Sequence, residues 1–216
     1  DINLNRRNPL IKLSKTSKMP CASLSLPIEE TCGGRYDLTT GDIKEICDKC
    51  YAGKGAYNWP PARNQKAHNL IETRKDDFVP DMINKLYKMK YFRWFDSGDV
   101  ENEIMLEKIF SICQSTPQTF HWLPTKSREL YDQDLWKALE NLPNVKVRYS
   151  SPSKHGIYNY KHGSVVFSDE SEFSPETFRC RAKSIGFKKN GKPQPKKCHN
   201  CRACWHNVKT ISYEFH

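Results

Sequence analysis

Residues 91–126 read YFRWFDSGDVENEIMLEKIFSICQSTPQTFHWLPTK, and the hydrophobic period changes twice within this stretch. Residues 91–99 have the pattern of a strand that ends in a polar turn, whereas residues 101–116 carry apolar side chains at helical spacing. Residues 119–126 return to the strand pattern. A strand, a helix and a second strand in this order predict a parallel βαβ unit.

The alternation of helices and strands continues after this unit. Residues 127–142 predict a helix that begins at Ser127, because a serine hydroxyl can cap the first turn. Residues 144–151 and 163–170 predict two more strands. The two predicted helices carry side chains that we expect to face inward: Ile104, Leu106, Ile109, Phe110, Cys113, Leu130, Leu135, Trp136 and Leu139.

Two further helices are predicted before the first of these strands. They cover residues 62–78 and 79–90, and the second is expected to begin at Pro80, since proline is favoured in the first turn of a helix. Strands that alternate with helices predict an α/β fold with a parallel sheet. The sheet is expected to be either open or a partial barrel.

The chain has 216 residues, of which 37% are hydrophobic and 12% aromatic, enough for one compact core. We expect a single domain over 1–216, with a cysteine-rich irregular segment (1–59), a βα core (60–170) and a cysteine-rich C-terminal segment (171–216) packed on the core. No apolar run approaches the roughly 20 residues that span a bilayer, so no membrane contact is expected. The N-terminus lacks the apolar stretch of a secretory signal, which predicts a cytoplasmic location.

The formal net charge of +10 favours acidic partners. Residues 181–197 contain seven Lys or Arg and no acidic residue, and nucleic acid can contact them through its phosphates. The other interpretation of this segment is a solvated loop. Tyr51, Tyr57 and Trp59 lie near Arg63 in sequence and can stack on bases, although such aromatic residues also pack beside metal sites.

Eight of the nine cysteines fall into two groups at opposite ends of the sequence. The groups are Cys21, Cys32, Cys47 and Cys50, and Cys180, Cys198, Cys201 and Cys204. Each group contains a C-x-x-C step, which is common among metal ligands. Disulfides are the alternative, but a cytoplasmic chain of this size does not need them. The lone Cys113 is expected to be a small core residue.

The spacing of the cysteines bears on the metal that they bind. Residues 198–204 form a C-x-x-C-x-x-C run, which can wrap one face of a [4Fe–4S] cluster while Cys180 supplies the fourth thiolate. Zinc more often binds two separated C-x-x-C pairs. The N-terminal group has one pair and two single cysteines, so zinc competes more closely with a cluster there. We therefore predict one or two [4Fe–4S] clusters, with zinc as the alternative.

Small polar or ionisable side chains follow the predicted strands. Ligands of parallel α/β folds bind at the carboxyl ends of the strands, where these side chains meet. A carboxylate and an ammonium on one rim can bind a polar ligand or move protons. The same residue types also cap helices, which is the alternative interpretation. The candidates for this pocket are Asp96, Ser97, Asp99, Lys126 and Ser150.

Five segments carry a resemblance to a known family: KMPCASLSLP (18–27), CDKCYAGKGAYN (47–58), FRWFDSGDV (92–100), FHWLPTKS (120–127) and CHNCRACW (198–205). Over most of its length the chain resembles the bacteriophage gene product 88 family, and more distantly a phage group with a radical-SAM-like barrel. The resemblance implies a partial TIM-barrel-like sheet whose N-terminal cysteines ligate a cluster near the strand ends. It also implies that the protein acts in the host cytoplasm.

The sequence departs from the C-x-x-x-C-x-x-C spacing of radical-SAM enzymes. A long segment separates Cys32 from Cys47, and Cys21 offers a fourth thiolate that would close the cluster to a substrate. The predicted function is therefore a phage-type iron–sulfur protein with redox or cluster-based chemistry at the strand-end pocket, acting with a small-molecule or redox partner. The alternative is a nucleic-acid-binding phage accessory protein with structural zinc or iron–sulfur sites.

Overall fold

The computed structural model contains one large β-sheet, whose strands come from the N-terminal, central and C-terminal parts of the chain. The structure describes residues 10–151, 153, 161–168, 174–180, 182, 188–189, 192–193, 197–198 and 200–214. Within these residues, eight strands form one sheet: β1 (Ser14–Lys15), β2 (Ala22–Ser25), β3 (Tyr91–Ser97), β4 (Phe120–Thr125), β5 (Val145–Ser150), β6 (Gly163–Phe167), β7 (Phe178–Arg179) and β10 (Thr210–Glu214). A separate two-stranded hairpin consists of β8 (Lys188–Lys189) and β9 (Lys192–Pro193).

The helices lie mainly between the first strands of this sheet. Within the described residues they are α1 (Ile28–Thr31), α2 (Glu45–Asp48), α3 (Pro60–Thr73), α4 (Phe78–Leu86), α5 (Glu103–Ser115) and α6 (Gln133–Asn141). The helices α3 and α4 connect β2 to β3, α5 connects β3 to β4, and α6 connects β4 to β5. In the described part of the chain, no helix combines the length and the apolar character needed to cross a bilayer.

The strands follow the order β1-β2-β3-β4-β5-β6-β10-β7. The pair β1–β2 is antiparallel and every other neighbouring pair is parallel. From β1 to β6 each strand lies beside its predecessor in sequence. Because β1 and β7 are edges in the described residues, the sheet is open there.

One face of the sheet packs against the helices and forms the hydrophobic core. The helix α5 contacts both α4 and α6. Side chains of β3 such as Phe92 and Trp94 are fully buried with Leu106 of α5 and Trp136 of α6. The opposite face carries Arg93, which contacts Met19 and Tyr51 of the N-terminal segment, and Trp122, which packs against Trp205 of the C-terminal segment.

The predicted parallel α/β architecture is confirmed, and all four predicted strands form. They correspond to β3, β4, β5 and β6, although residues 169–170 of the last prediction lie outside the described residues. The strands β1, β2, β7 and β10 were not predicted. The segments 1–59 and 171–216 therefore contribute strands to the same sheet as the βα core, where irregular structure was expected.

Three details of the helix predictions were wrong. The cap of α6 is Asp132, whose carboxylate accepts from two backbone amides, because residues 128–130 after Ser127 form a separate 3₁₀ turn. The helix α4 begins at Phe78, two residues before Pro80. In α5, Ile104 is 64% exposed, whereas Met105 and Ile112 join the predicted core residues on the buried face; Cys113 is fully buried, as predicted.

Candidate functional site

A cavity of about 310 Å³ opens at the carboxyl edge of the parallel strands. We call it the strand-end cavity. It is lined by Cys32, Cys47 and Cys50, which we call the cysteine triad. The structure thus brings three candidate ligands together with every predicted pocket residue: Asp96, Ser97, Asp99, Lys126 and Ser150.

Asp96 is buried near the end of β3, at the centre of a hydrogen-bonded network. One carboxylate oxygen accepts from the hydroxyls of Ser23 (2.9 Å) and Ser25 (2.6 Å), and the other accepts from Tyr57 (3.2 Å). Burial and the Asp96 carboxylate raise the pKa of Tyr57, so its phenol stays protonated and keeps donating. The three donors hold the carboxylate in one orientation.

Asp99 and Lys126 connect the ends of two neighbouring strands. One Asp99 carboxylate oxygen accepts from the backbone amide of Lys126 (2.8 Å), and the other accepts from the amide of Val100 (2.8 Å). Burial raises the pKa of Asp99, while these hydrogen bonds lower it. Within the described residues, the half-buried Lys126 ammonium makes no hydrogen bond or ion pair, and so it remains available to a ligand.

Cys32 is held at the cavity by a close fit of backbone segments. The Thr31 hydroxyl accepts from the Asp99 amide (3.2 Å), which ties the end of α1 to the end of β3. Gly34 lies so near the end of β4 that an added Cβ would be 2.2 Å from the carbonyl oxygen of Lys126. Only glycine permits this approach, which sets the loop of Cys32 against both strand ends.

The other two members of the triad share one tight turn. The amide of Cys50 donates to the carbonyl of Cys47 (3.2 Å), which folds the C-x-x-C step back on itself. The neighbouring Tyr51 hydroxyl donates to the Asp96 carbonyl (2.9 Å) and accepts from the guanidinium of Arg93 (3.0 Å). These two bonds fix the turn to β3.

The thiols of the triad lie within electrostatic range of one another. Burial raises the pKa of Cys32 well above its usual range, and the Asp99 carboxylate, Cys50 and Cys47 raise it further. Burial also raises the pKa of Cys47, whereas the Lys126 ammonium lowers it. Thiols in such a setting become thiolates when a bound cation compensates their charge.

The C-terminal cysteine group consists of Cys180, Cys198, Cys201 and Cys204, and Cys21 lies beside it. Burial raises the pKa of Cys21 to about 12. The guanidinium of Arg93 lowers this pKa, and the thiol of Cys198 raises it. The amide of Cys198 also donates to the carbonyl of Lys18 (2.9 Å). The structure therefore places Cys21 with the C-terminal group and apart from the triad with which the sequence had grouped it.

The thiols of the C-terminal group also influence one another. Burial raises the pKa of Cys198 to about 11, and the thiols of Cys180 and Cys201 raise it further. Burial raises the pKa of Cys204 to about 12, although the hydroxyl of Tyr213, 3.4 Å from its sulfur, lowers it. The four thiols are therefore close enough for the charge of one to affect the pKa of the others.

Arg148 fixes the C-terminal group to the sheet. Its side chain is fully buried and donates to four backbone carbonyls, those of Ala203 (2.9 Å), Cys204 (3.0 Å), His206 (2.8 Å) and Val208 (2.8 Å). Within the described residues, no carboxylate contacts this guanidinium. The positive charge is therefore buried beside the cysteines with only neutral acceptors.

A second cavity, of about 610 Å³, is lined by Cys180, Cys198 and Cys204. It shares part of its wall with the strand-end cavity, including Arg93 and Tyr51. The Arg93 guanidinium lies 4.6 Å from the ring centre of Trp122, a cation–π distance. The two cysteine groups therefore flank one common wall of the sheet.

None of the nine cysteines forms a disulfide. Among the described residues, no three Cys, His, Asp or Glu side chains lie close enough together to surround one metal ion.

Sequence reasoning missed several residues of this region. Arg93 and Arg148 were not singled out, since a charged residue in an alternating strand ordinarily faces solvent. Tyr51 and Tyr57 were noted as candidates for base stacking, but both hydroxyls hydrogen bond to Asp96. Of the predicted nucleic-acid segment 181–197, most residues lie outside the described part of the chain.

The family model described as gene product 88 matches residues 3–207, which is nearly the whole chain. Neither the curated proteins nor the solved structures gave a match. The protein with this strand-end cavity and its two flanking cysteine groups belongs to the gene product 88 family.

Proposed function

We propose that this protein is an iron–sulfur protein that binds [4Fe–4S] clusters through its two cysteine groups and carries out redox chemistry on a small ligand in the strand-end cavity. The observation that carries the proposal is the gathering of cysteines that are distant in sequence along one wall of the sheet: three line the strand-end cavity and three line the second cavity. Each group adjoins a cavity that other side chains leave open.

The sequence spacing of the C-terminal cysteines supports a cluster over a zinc ion. Residues 198–204 supply three cysteines in a C-x-x-C-x-x-C run, which can wrap one face of a cubane while Cys180 completes the ligation. Zinc more often binds two separated C-x-x-C pairs.

The charge of the surroundings also supports bound clusters. Four thiolates around a [4Fe–4S]²⁺ core carry a net charge of about −2. Arg148 is buried without a carboxylate contact in the described residues, and Arg93 lies between the two cavities. A buried cation without a counterion is costly, and a nearby anionic cluster would offset that cost.

A bound cluster supplies one-electron transfer, and the side chains of the chain supply the remaining functions of the site. Lys126 is positioned to bind an anion at the rim. The three hydrogen bonds to Asp96 keep that carboxylate ordered below it. The Tyr51 hydroxyl connects the turn of the triad to Arg93 and to the backbone of Asp96.

The test is anaerobic purification, followed by metal analysis and spectroscopy. We expect a brown protein with broad absorption near 400 nm and about four iron and four sulfide ions per cluster. Dithionite should bleach the absorption and produce an electron paramagnetic resonance (EPR) signal. A colourless protein that contains stoichiometric zinc, and that takes up no iron and sulfide on reconstitution, would contradict the proposal.

A further inference from the structure

We propose that the cysteine triad holds a cluster through three thiolates and leaves one iron open to a small carboxylate-bearing ligand, which binds in the strand-end cavity and pairs with Lys126. The inference rests on the proposed iron–sulfur function and deepens it. It assigns different roles to the two cysteine groups.

The first argument is the number of thiols. Cys21 would be the fourth ligand by sequence, but it lies beside Cys198. Cys32, Cys47 and Cys50 line the strand-end cavity, and Cys21 does not. A cubane has four irons, so three cysteines leave one iron without a thiolate.

The second argument is that the two carboxylates at the end of β3 are already engaged. Asp99 accepts from the amides of Val100 and Lys126, and both of its oxygens are used. Asp96 likewise accepts three hydroxyl hydrogen bonds over its two oxygens. Rotating either carboxylate toward an iron would break hydrogen bonds that are buried and costly to lose. An external ligand meets no such cost.

The third argument is the charge and shape of the cavity. Its lining carries four cationic side chains and, besides Asp96 and Asp99, one further carboxylate, that of Glu214; the cations are Arg35, Lys49, Arg93 and Lys126. The Ser150 hydroxyl accepts from Ser164 (3.3 Å), which leaves its own proton free for a ligand oxygen. A carboxylate fits these donors and can also coordinate iron. Because the cluster and the ligand would share the cavity of about 310 Å³, the ligand must be small.

The experiment uses anaerobically reconstituted full-length protein and citrate as the probe. EPR spectra of the reduced protein are recorded during a citrate titration, with inorganic phosphate as a second arm. We expect citrate to shift one cluster signal saturably while phosphate leaves it unchanged. A shift by phosphate alone would overturn the carboxylate assignment. No shift with either anion would overturn the open site.

The Lys126→Gln variant tests the role of the ammonium. We expect its citrate affinity to fall about tenfold or more, because hydrogen bonds to charged groups are worth roughly 1.5–3 kcal/mol. The matched control is Lys137→Gln, whose exposed side chain pairs with Asp134 far from the cavity. Equal citrate affinity in the two variants would overturn the role of Lys126.

A second measurement does not depend on the choice of anion. Mild oxidation with ferricyanide should release the open iron of the triad cluster and leave a three-iron cluster with its own EPR signal, in the wild type and in Cys21→Ser alike. A wild-type protein that binds clusters but loses no iron would overturn this inference while leaving the iron–sulfur proposal intact. Failure to bind iron at all would overturn both.

Discussion

The backbone amide of Cys198 donates a 2.9 Å hydrogen bond to the carbonyl oxygen of Lys18. This bond joins the C-terminal cysteine run to the loop before β2, which carries Cys21. The electrostatic influence of Cys198 on Cys21 agrees with this contact. The two ends of the chain thus build one cysteine site together, while the triad forms from the N-terminal segment alone.

The separation of the two sites predicts that they lose iron independently. We expect Cys32→Ser and Cys204→Ser each to remove about four of roughly eight irons per chain, and the double variant to remove nearly all. Cys113→Ser is the control, because Cys113 lies in the core away from both cavities. Iron and sulfide analysis after reconstitution measures the result. Complete loss in either single variant would contradict two independent sites.

The part of the fold with a clear hydrophobic period, from β3 to β6, could be predicted from the sequence. The strands β3 and β4 are long and rich in aromatic residues, and α5 between them has a clear apolar face. The strands β2 and β10 were missed because each is short and lies among cysteines and turn residues. Pairing with β3 and β6 stabilises them, and such long-range pairing leaves little local signal.

The candidate site was predictable in its residue types but not in its grouping. The eight cysteines and the five strand-end residues follow from spacing and strand position. The proximity of Cys21 to Cys198 depends on tertiary contacts that no local pattern encodes. Arg148 was missed for a related reason, since its four carbonyl partners all lie in a distant segment that contains only a short 3₁₀ turn before β10.

Arg148→Met is predicted to loosen the C-terminal cysteine group. The methionine would fill part of the volume but leave four carbonyls without their donor, so we expect the free energy of unfolding to fall by about 3 kcal/mol. Iron bound by the C-terminal group should fall as well, while that of the triad is retained. Urea denaturation and iron analysis under anaerobic conditions measure the two effects.

The matched control for this variant is Arg63→Met. Arg63 is exposed on α3, and its replacement should change the free energy of unfolding by less than about 0.5 kcal/mol. Equal effects of the two substitutions would show that the carbonyl contacts of Arg148 do not hold the segment in place.

Gly98→Ala is predicted to disrupt the junction between β3 and the loop of Cys32. Gly98 has φ of +85°, and an added Cβ would lie 2.7 Å from the Leu26 Cβ and 2.8 Å from the Thr31 hydroxyl oxygen. Gly41→Ala is the control, because Gly41 also has a positive φ (+77°) but has open space around its Cβ position. Strain in the left-handed region costs about 1–2 kcal/mol in both variants. Because of the clash, the free energy of unfolding, measured by urea denaturation, should fall further in Gly98→Ala than in Gly41→Ala. An equal fall in the two variants would contradict the close packing at Gly98.

His121 is predicted to make the stability of the protein depend on pH. Its side chain is fully buried on β4, and one ring nitrogen lies 2.9 Å from the hydroxyl oxygen of Thr116. Burial lowers the pKa of His121 to about 3 from an ordinary value of 6.5. The imidazole is therefore neutral in the folded protein at every pH above about 3.

The sign of the effect follows from the two pKa values. Below pH 6.5 His121 binds a proton in the unfolded chain but not in the folded protein, and this favours unfolding. The contribution of neutral His121 to the free energy of unfolding is therefore complete above pH 6.5 and is lost as the pH falls toward 3. Between pH 7.5 and 5.5 the loss is about 1.4 kcal/mol, since one pH unit corresponds to roughly 1.36 kcal/mol. The variant His121→Gln lacks the titrating group and should lose less stability over this range. Urea denaturation of both proteins at the two pH values gives the difference, and parallel pH profiles would mean that His121 is protonated in the folded state.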